Sequence, residues 1–228
     1  MIEMPSYGKN RIVAFYAPLT LREQFVYSGV LVVLCVIFFY DYLDIPIALY
    51  FNQLNHSSIN HFFHYLTLSG EAFPYIALSI IGYMFFTYYR RETEKANRFG
   101  LLLQAVLFSG VLTDMIKWIA GRYRPHEYFE HQLYGFNFFQ IKGAYTSFPS
   151  GHTTTAFAVA TLLAYLFPKF QWMWWSFAFL IGLSRIVLTQ HFVSDVIVGA
   201  YIGIASVVFL LLLRNIRQTD TYHPAPIH

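Results

Sequence analysis

Lys117, Arg124 and Arg185 are three fixed cations in a chain that carries few charges, and two histidines and a carboxylate accompany them. They fall in three short segments: Lys117 with Arg124-Pro125 (KWIAGRYRP), Pro149-Ser150-Gly151-His152, and Ser184-Arg185 with His191 and Asp195 (SRIVLTQHFVSD). A guanidinium offers phosphate a two-pronged fork and an ammonium offers a point charge. Pro149 breaks structure, Ser150 suits a helix N-cap, and Gly151 lets backbone approach a ligand closely. The free N–H groups and dipole at such a helix start hold anions, with His152 in the same first turn. His191 and Asp195 are four residues apart and share a helix face, so the carboxylate can hold one imidazole nitrogen. The other nitrogen is then a nucleophile or base. These groups suffice to move a phosphoryl group.

Each segment also has a plainer reading. Lys117 can pair with Asp114 three residues earlier, while Arg124 snorkels to the interface. Lys117 and Arg124 share a face only if one helix continues to Pro125, which excludes its predecessor from helical geometry. The Pro149–His152 run can be an ordinary capped helix, and His191 with Asp195 a structural pair. The combination of all three on one side of a membrane disfavours coincidence. The other histidines, His56, His61, His64, His126 and His131, read as loop residues. His61 and His64 are three apart, but no thiolate or carboxylate set accompanies them, so no metal site is expected. Glu71 and Asp114 are either neighbours of the site or partners of nearby charges.

The elements that must position these residues are membrane helices. Of 228 residues, 57% are hydrophobic and 12% charged, against about 25% charged in soluble domains. Six apolar stretches approach the roughly 20 residues a spanning helix needs. They are Phe25–Tyr42, Ala72–Tyr89, Phe99–Ala120, His152–Phe167, Trp172–Thr189 and Val193–Leu213. Unpaired strands are excluded in lipid, so the expectation is an all-α integral membrane bundle of about six spans. It forms a single domain over residues 1–228, with its motifs within 117–195. Ten of the fifteen Lys and Arg residues fall on the inner side if both termini are cytoplasmic, and none lies in the first outer loop, Leu43 to Glu71. All three segments then face outward. The lone Cys35 permits no internal disulfide, no cleaved signal is read before the first span, and residues 218–228 read as a flexible tail. A net charge of +3 without a polybasic run or nucleic-acid motif argues against nucleic acid.

At these residues the chain resembles the type 2 phosphatidic acid phosphatase (PAP2) family, whose signature is K-x6-R-P, then P-S-G-H, then S-R-x5-H-x3-D. All three parts are intact and in order. The resemblance covers the last four spans closely and the first two by hydropathy alone. It implies a metal-independent, cofactor-free phosphatase. His191 would attack phosphorus and form a phosphohistidine, Asp195 would orient His191, and His152 would protonate the leaving oxygen and then activate water. Lys117, Arg124, Ser150, Gly151 and Arg185 would cradle the phosphate oxygens.

A site opening between spans at the outer leaflet suits an amphipathic phosphate whose tail stays in lipid. The family covers lipid A phosphate, polyprenyl diphosphates such as undecaprenyl diphosphate, phosphatidylglycerophosphate and phosphatidic acid. Compact size and short loops resemble bacterial envelope members, so lipid A phosphate or a polyprenyl diphosphate at the periplasmic face of the inner membrane is expected. The bilayer and the lipid substrate are the implied partners, with no obligate protein partner. The rivals are a lipid-to-lipid phosphotransferase on the same site and an anion transporter. The soluble haloperoxidases that share the motifs are disfavoured by hydropathy.

Overall fold

A computed structural model describes residues 20–54 and 58–220, and they are all-helical. α1 (Leu21–Phe38) starts at Thr20 with a reciprocal cap: the Thr20 hydroxyl accepts from Glu23 N–H, and the Glu23 carboxylate accepts from Thr20 N–H. One π turn, Phe39–Leu43, carries α1 into α2 (Asp44–Gln53), so the rod outlasts the expected first span. α3 (Ser58–Leu68) and α4 (Ala72–Met84) follow, and a π turn extends α4 over Phe85–Tyr89. The segment 43–71, expected as an outer loop, is therefore mostly helix. α5 (Thr93–Ala120), the short α6 (Pro125–His131), α7 (Gly151–Leu166), α8 (Gln171–Val187) and α9 (Val193–Asp220) complete the order. Helix thus occupies all six expected stretches.

Four apolar helical segments among the described residues are long enough to cross a bilayer: Arg22–Gln53, Asn60–Tyr89, Thr93–Ala120 and Val193–Arg214. α7 and α8, at 16 and 17 residues, are shorter. α9 runs to Asp220, so the first three residues of the expected flexible tail are helical, and 221–228 lie outside the described residues. His56 and the N-terminal cations Lys9 and Arg11 also lie outside them.

α7 is the hub. It packs against α9, α8 and α5, while α4 flanks α5, α3 flanks α8 and α1 flanks α9. Its sequence explains this, since Thr153, Thr154, Thr155, Ala156, Ala158 and Ala160 are small and buried. Opposite them, Gly199 and Gly203 are one turn apart on α9. A Cβ on Gly203 would stand 2.5 Å from the Thr154 carbonyl oxygen and 2.8 Å from the Ala158 nitrogen. Small residues at this spacing let helix backbones touch, which drives association where lipid removes the hydrophobic incentive. Large apolar side chains such as Leu31, Phe73, Ile81 and Phe179 point outward instead.

α5 ends at Ala120, five residues before Pro125, the position expected to break it. Gly121 adopts φ +59 and caps Ala120, and a Cβ there would lie 1.7 Å from the Asn137 carbonyl oxygen. Pro125 opens α6 at its first position and does not terminate α5. The C-termini of α5 and α8 and the N-termini of α7 and α9 gather at one end of the bundle. Gly203→Val should lower stability in detergent by about 1–3 kcal/mol through overpacking. Gly110→Ala, which meets nothing within 4 Å, should not lower it, as parallel thermal melts would show.

Candidate active site

At that end the three segments converge. Arg124 is not on α5, because the chain has turned at Gly121, so Lys117 and Arg124 do not share a helix face. Tertiary bonds hold Arg124 instead: its N–H donates to Ala144 O at 3.0 Å, and Nε donates to Gly143 O at 2.9 Å. Neighbouring Tyr123 and Asn137 bond to Gly135 and Gly121 across the same loop. Burial lowers the pKa of the Arg124 guanidinium, with Asp195 acting in the opposite sense. Lys117 Nζ donates to the Pro149 carbonyl at 2.8 Å, and a Cβ on Gly151 would lie 3.6 Å from it. Lys117 therefore sits over the start of α7.

Ser150 takes the N-cap position of α7 but makes no side-chain cap bond. Its hydroxyl accepts from Thr153 Oγ1 at 2.9 Å, and its N–H donates to the Asp195 carbonyl at 3.1 Å, joining the second segment to the third. The first-turn N–H groups of a helix have no intrahelical partner and can bind an anion. Arg185 on α8 donates to Thr67 Oγ1 at 2.8 Å. Lys117, Arg124 and Arg185 all act electrostatically on His152. His152 opens onto a cavity of about 330 Å³ that Glu71, Asp114, Gly70 and Gly110 also line.

His191 is held differently from the sequence expectation. Its Nδ1 lies 2.7 Å from the Ser147 carbonyl oxygen and 3.6 Å from Asp195 Oδ2. The carbonyl can only accept, so Nδ1 carries the hydrogen and Nε2 keeps its lone pair. Burial is the main cause that lowers the His191 pKa, Lys117 and Arg185 add to it, and Asp195 opposes. The ring is neutral at neutral pH.

Asp195 lies behind Ser147. Its Oδ2 accepts from Ser147 Oγ at 2.6 Å and from Phe192 N–H at 2.9 Å, and its Oδ1 accepts from Arg122 Nη1 at 2.5 Å. The carboxylate thus fixes Ser147, whose carbonyl fixes His191.

Arg122 and Asp44, unassigned by motif reasoning, complete this arrangement. Both side chains are fully buried. Arg122 Nη2 donates to Asp44 Oδ2 at 2.8 Å and to Tyr134 Oη at 3.1 Å, and Nη1 also donates to Ser194 Oγ at 2.6 Å. Asp44 Oδ1 accepts the Ser194 N–H at 3.0 Å, and the Ser194 hydroxyl donates to Oδ2. Tyr40, Tyr134, Phe136 and Phe192 surround the guanidinium, with ring centroids 4.6–5.5 Å away. Burial works against its charge, but Asp195 and Asp44 outweigh it and hold the pKa above the ordinary value. Burial raises the Tyr134 pKa, so the hydroxyl stays a donor, to Tyr40 O at 2.7 Å. One sequence signal was available: Asp44 is a carboxylate at the end of an apolar run, where ionisable groups are costly.

His61 and His64 lie on α3, and His126 and His131 on α6, so none is in an irregular loop. No group of three or more His, Cys, Asp or Glu among the described residues could hold a metal.

The PAP2 superfamily profile matches residues 98–218, just over half of the chain and all three segments. The chain belongs to the PAP2 superfamily. It is 36% identical over 102 residues to the lipid A 1-phosphatase of Rhizobium etli, covering 45% of this chain and 44% of that protein. It is 28% identical over 160 residues to the lipid A 4'-phosphatase of Porphyromonas gingivalis, covering 67% and 65%. The match therefore spans under half of the first relative and about two thirds of the second. Among solved structures, Aquifex aeolicus LpxE superposes with a TM-score of 0.53 at 26% identity, covering 74% of this chain and 94% of that one. A transmembrane PAP2 phosphatidylglycerolphosphate phosphatase from Bacillus subtilis shares the fold, with a TM-score of 0.54 at 20% identity over 88% and 98%. Apolar helices and this membership make the chain an integral membrane protein.

Removing Arg122 would leave Asp44 and Asp195 buried and unpaired. Arg122→Ala should cost about 3–5 kcal/mol, or on the order of 10 °C in a detergent melt. The exposed Lys142→Ala should leave the midpoint in place.

Proposed function

We propose that the chain is a metal-independent membrane phosphatase acting on a lipid-linked phosphate, either lipid A phosphate or a polyprenyl diphosphate. The observation that carries this reading is the pinned Nδ1 of His191, which leaves a neutral Nε2 free beside Lys117 and Arg185. The names of the R. etli and P. gingivalis relatives support the lipid class. The positive-inside distribution supports a site on the outer face with both termini cytoplasmic.

In the first step the Nε2 lone pair forms a bond to phosphorus and the P–O bond to the lipid breaks. His152 gives its proton to the departing oxygen. In the second, His152 takes a proton from water, whose oxygen attacks phosphorus as the N–P bond breaks. Inorganic phosphate leaves, and both histidines return to their starting states. Lys117, Arg124, Arg185, the Ser150 hydroxyl and the Gly151 N–H stabilise charge on the transferring oxygens. Three fixed cations supply the positive charge that other phosphoryl-transfer sites draw from metal ions. Below this site the bundle is filled by Leu101, Ala105, Ala158, Leu162 and Val207, an apolar cluster that favours an enzyme over an anion transporter.

The test is phosphate release by detergent-purified protein in EDTA, against lipid A phosphate, undecaprenyl diphosphate, phosphatidylglycerophosphate and phosphatidic acid. Wild type should turn over one of the first two fastest, with a bell-shaped pH profile, and His191→Ala should release none. Loss of activity in EDTA that added metal restores would contradict metal independence. Turnover by folded His191→Ala would remove His191 as the nucleophile.

A further inference from the structure

Asp44, Arg122 and Asp195 form a buried run of three charges that sums to minus one. Without Asp44, Arg122 would cancel Asp195, and the carboxylate behind His191 would be electrostatically spent. We propose that Asp44 is a positioning residue whose charge, through Arg122, leaves net negative charge beside His191 and so stabilises the imidazolium formed when Nε2 takes the phosphoryl group. This rests on the phosphatase reading above.

The surroundings of His191 require such a charge. Lys117 faces it from α5, Arg185 from α8 and Asp195 from α9; His152 stands on α7 and Arg124 on the loop between α5 and α6. Lys117 and Arg185, placed to hold phosphate, both oppose a positive ring. Asp195 alone opposes them, and its Oδ1 is bound to Arg122. Asp44 adds a second carboxylate on the far side of the guanidinium, held by both the N–H and the hydroxyl of Ser194. The aromatic rings around Arg122 keep water out, so the fields of these charges are weakly screened. The added charge lies away from the phosphate, behind the nucleophile, and helps the ring more than it repels substrate.

Asp44→Asn keeps the shape and most hydrogen bonds while removing the charge. It should lower kcat about tenfold without raising KM, and move the acid limb of kcat/KM about one pH unit down. Asp44→Asn combined with Arg122→Gln returns the run to minus one and should bring the acid limb back toward wild type. A third variant, Ser194→Ala, removes the hydroxyl's hydrogen bond to Asp44 and the one it accepts from Arg122, but no charge, and should leave the acid limb in place, a prediction that stands even if Asp44→Asn does not fold. The proposal is overturned if folded Asp44→Asn keeps the wild-type kcat and acid limb. It is also overturned if the losses in the double variant simply add, or if Ser194→Ala moves the acid limb. Wild type releasing phosphate from no lipid would instead remove the phosphatase reading itself.

Discussion

A carboxylate with no solvent contact must be satisfied within the protein, and Asp195 is satisfied by Arg122, Ser147 and the Phe192 N–H. Much of the site follows from that constraint. Arg122 must reach α9 from the loop after α5, which requires the sharp turn at Gly121. Ser147 must lie against α9, which places its carbonyl on His191 Nδ1. Asp44 must come from the first helical rod to match the remaining half of the guanidinium, tying α2 to the catalytic end. One buried ion pair thus joins the first helices to a site whose motifs all lie from α5 onward.

The second organising feature is how closely α7 and α9 approach. Gly199 and Gly203 let the backbones meet, so the Ser150 N–H reaches the Asp195 carbonyl. The helix start that would hold phosphate oxygens and the helix start behind His191 are therefore joined directly. Around it, Lys117, Arg124 and Arg185 come from three other places, each tied to a carbonyl or hydroxyl. Such preorganised cations lose little on binding an anion, which is the usual basis of transition-state stabilisation by a fixed charge pattern.

Much of this was legible in the sequence because bilayer crossing leaves a strong hydropathy signal and because motif spacing survives folding. The six apolar stretches coincide with helices, and Lys117, His152, Arg185, His191 and Asp195 meet where their positions at helix ends imply. The rest depended on long-range geometry. Local spacing pairs His191 with Asp195 at i,i+4, yet a carbonyl 44 residues away wins the closer contact. Pro125 suggested where α5 ends, but Gly121 ended it first because only glycine fits against Asn137. Helix over Asp44–Gln53 and Ser58–Leu68 carried no long apolar run to announce it. Arg122 looked like one more cation beside a motif, because nothing local shows that Asp44, 78 residues earlier, waits for it.

The central claim is that His191 carries the phosphoryl group between lipid and water. Rapid acid-free quenching of a single turnover, with the substrate phosphate radiolabelled, followed by proteolysis in alkali, tests it most directly. The expected result is alkali-stable, acid-labile label on the peptide containing His191, formed and lost at rates that account for turnover. Turnover at the same rate with label on another residue, or on none under conditions where breakdown of an intermediate is slowed, would contradict it.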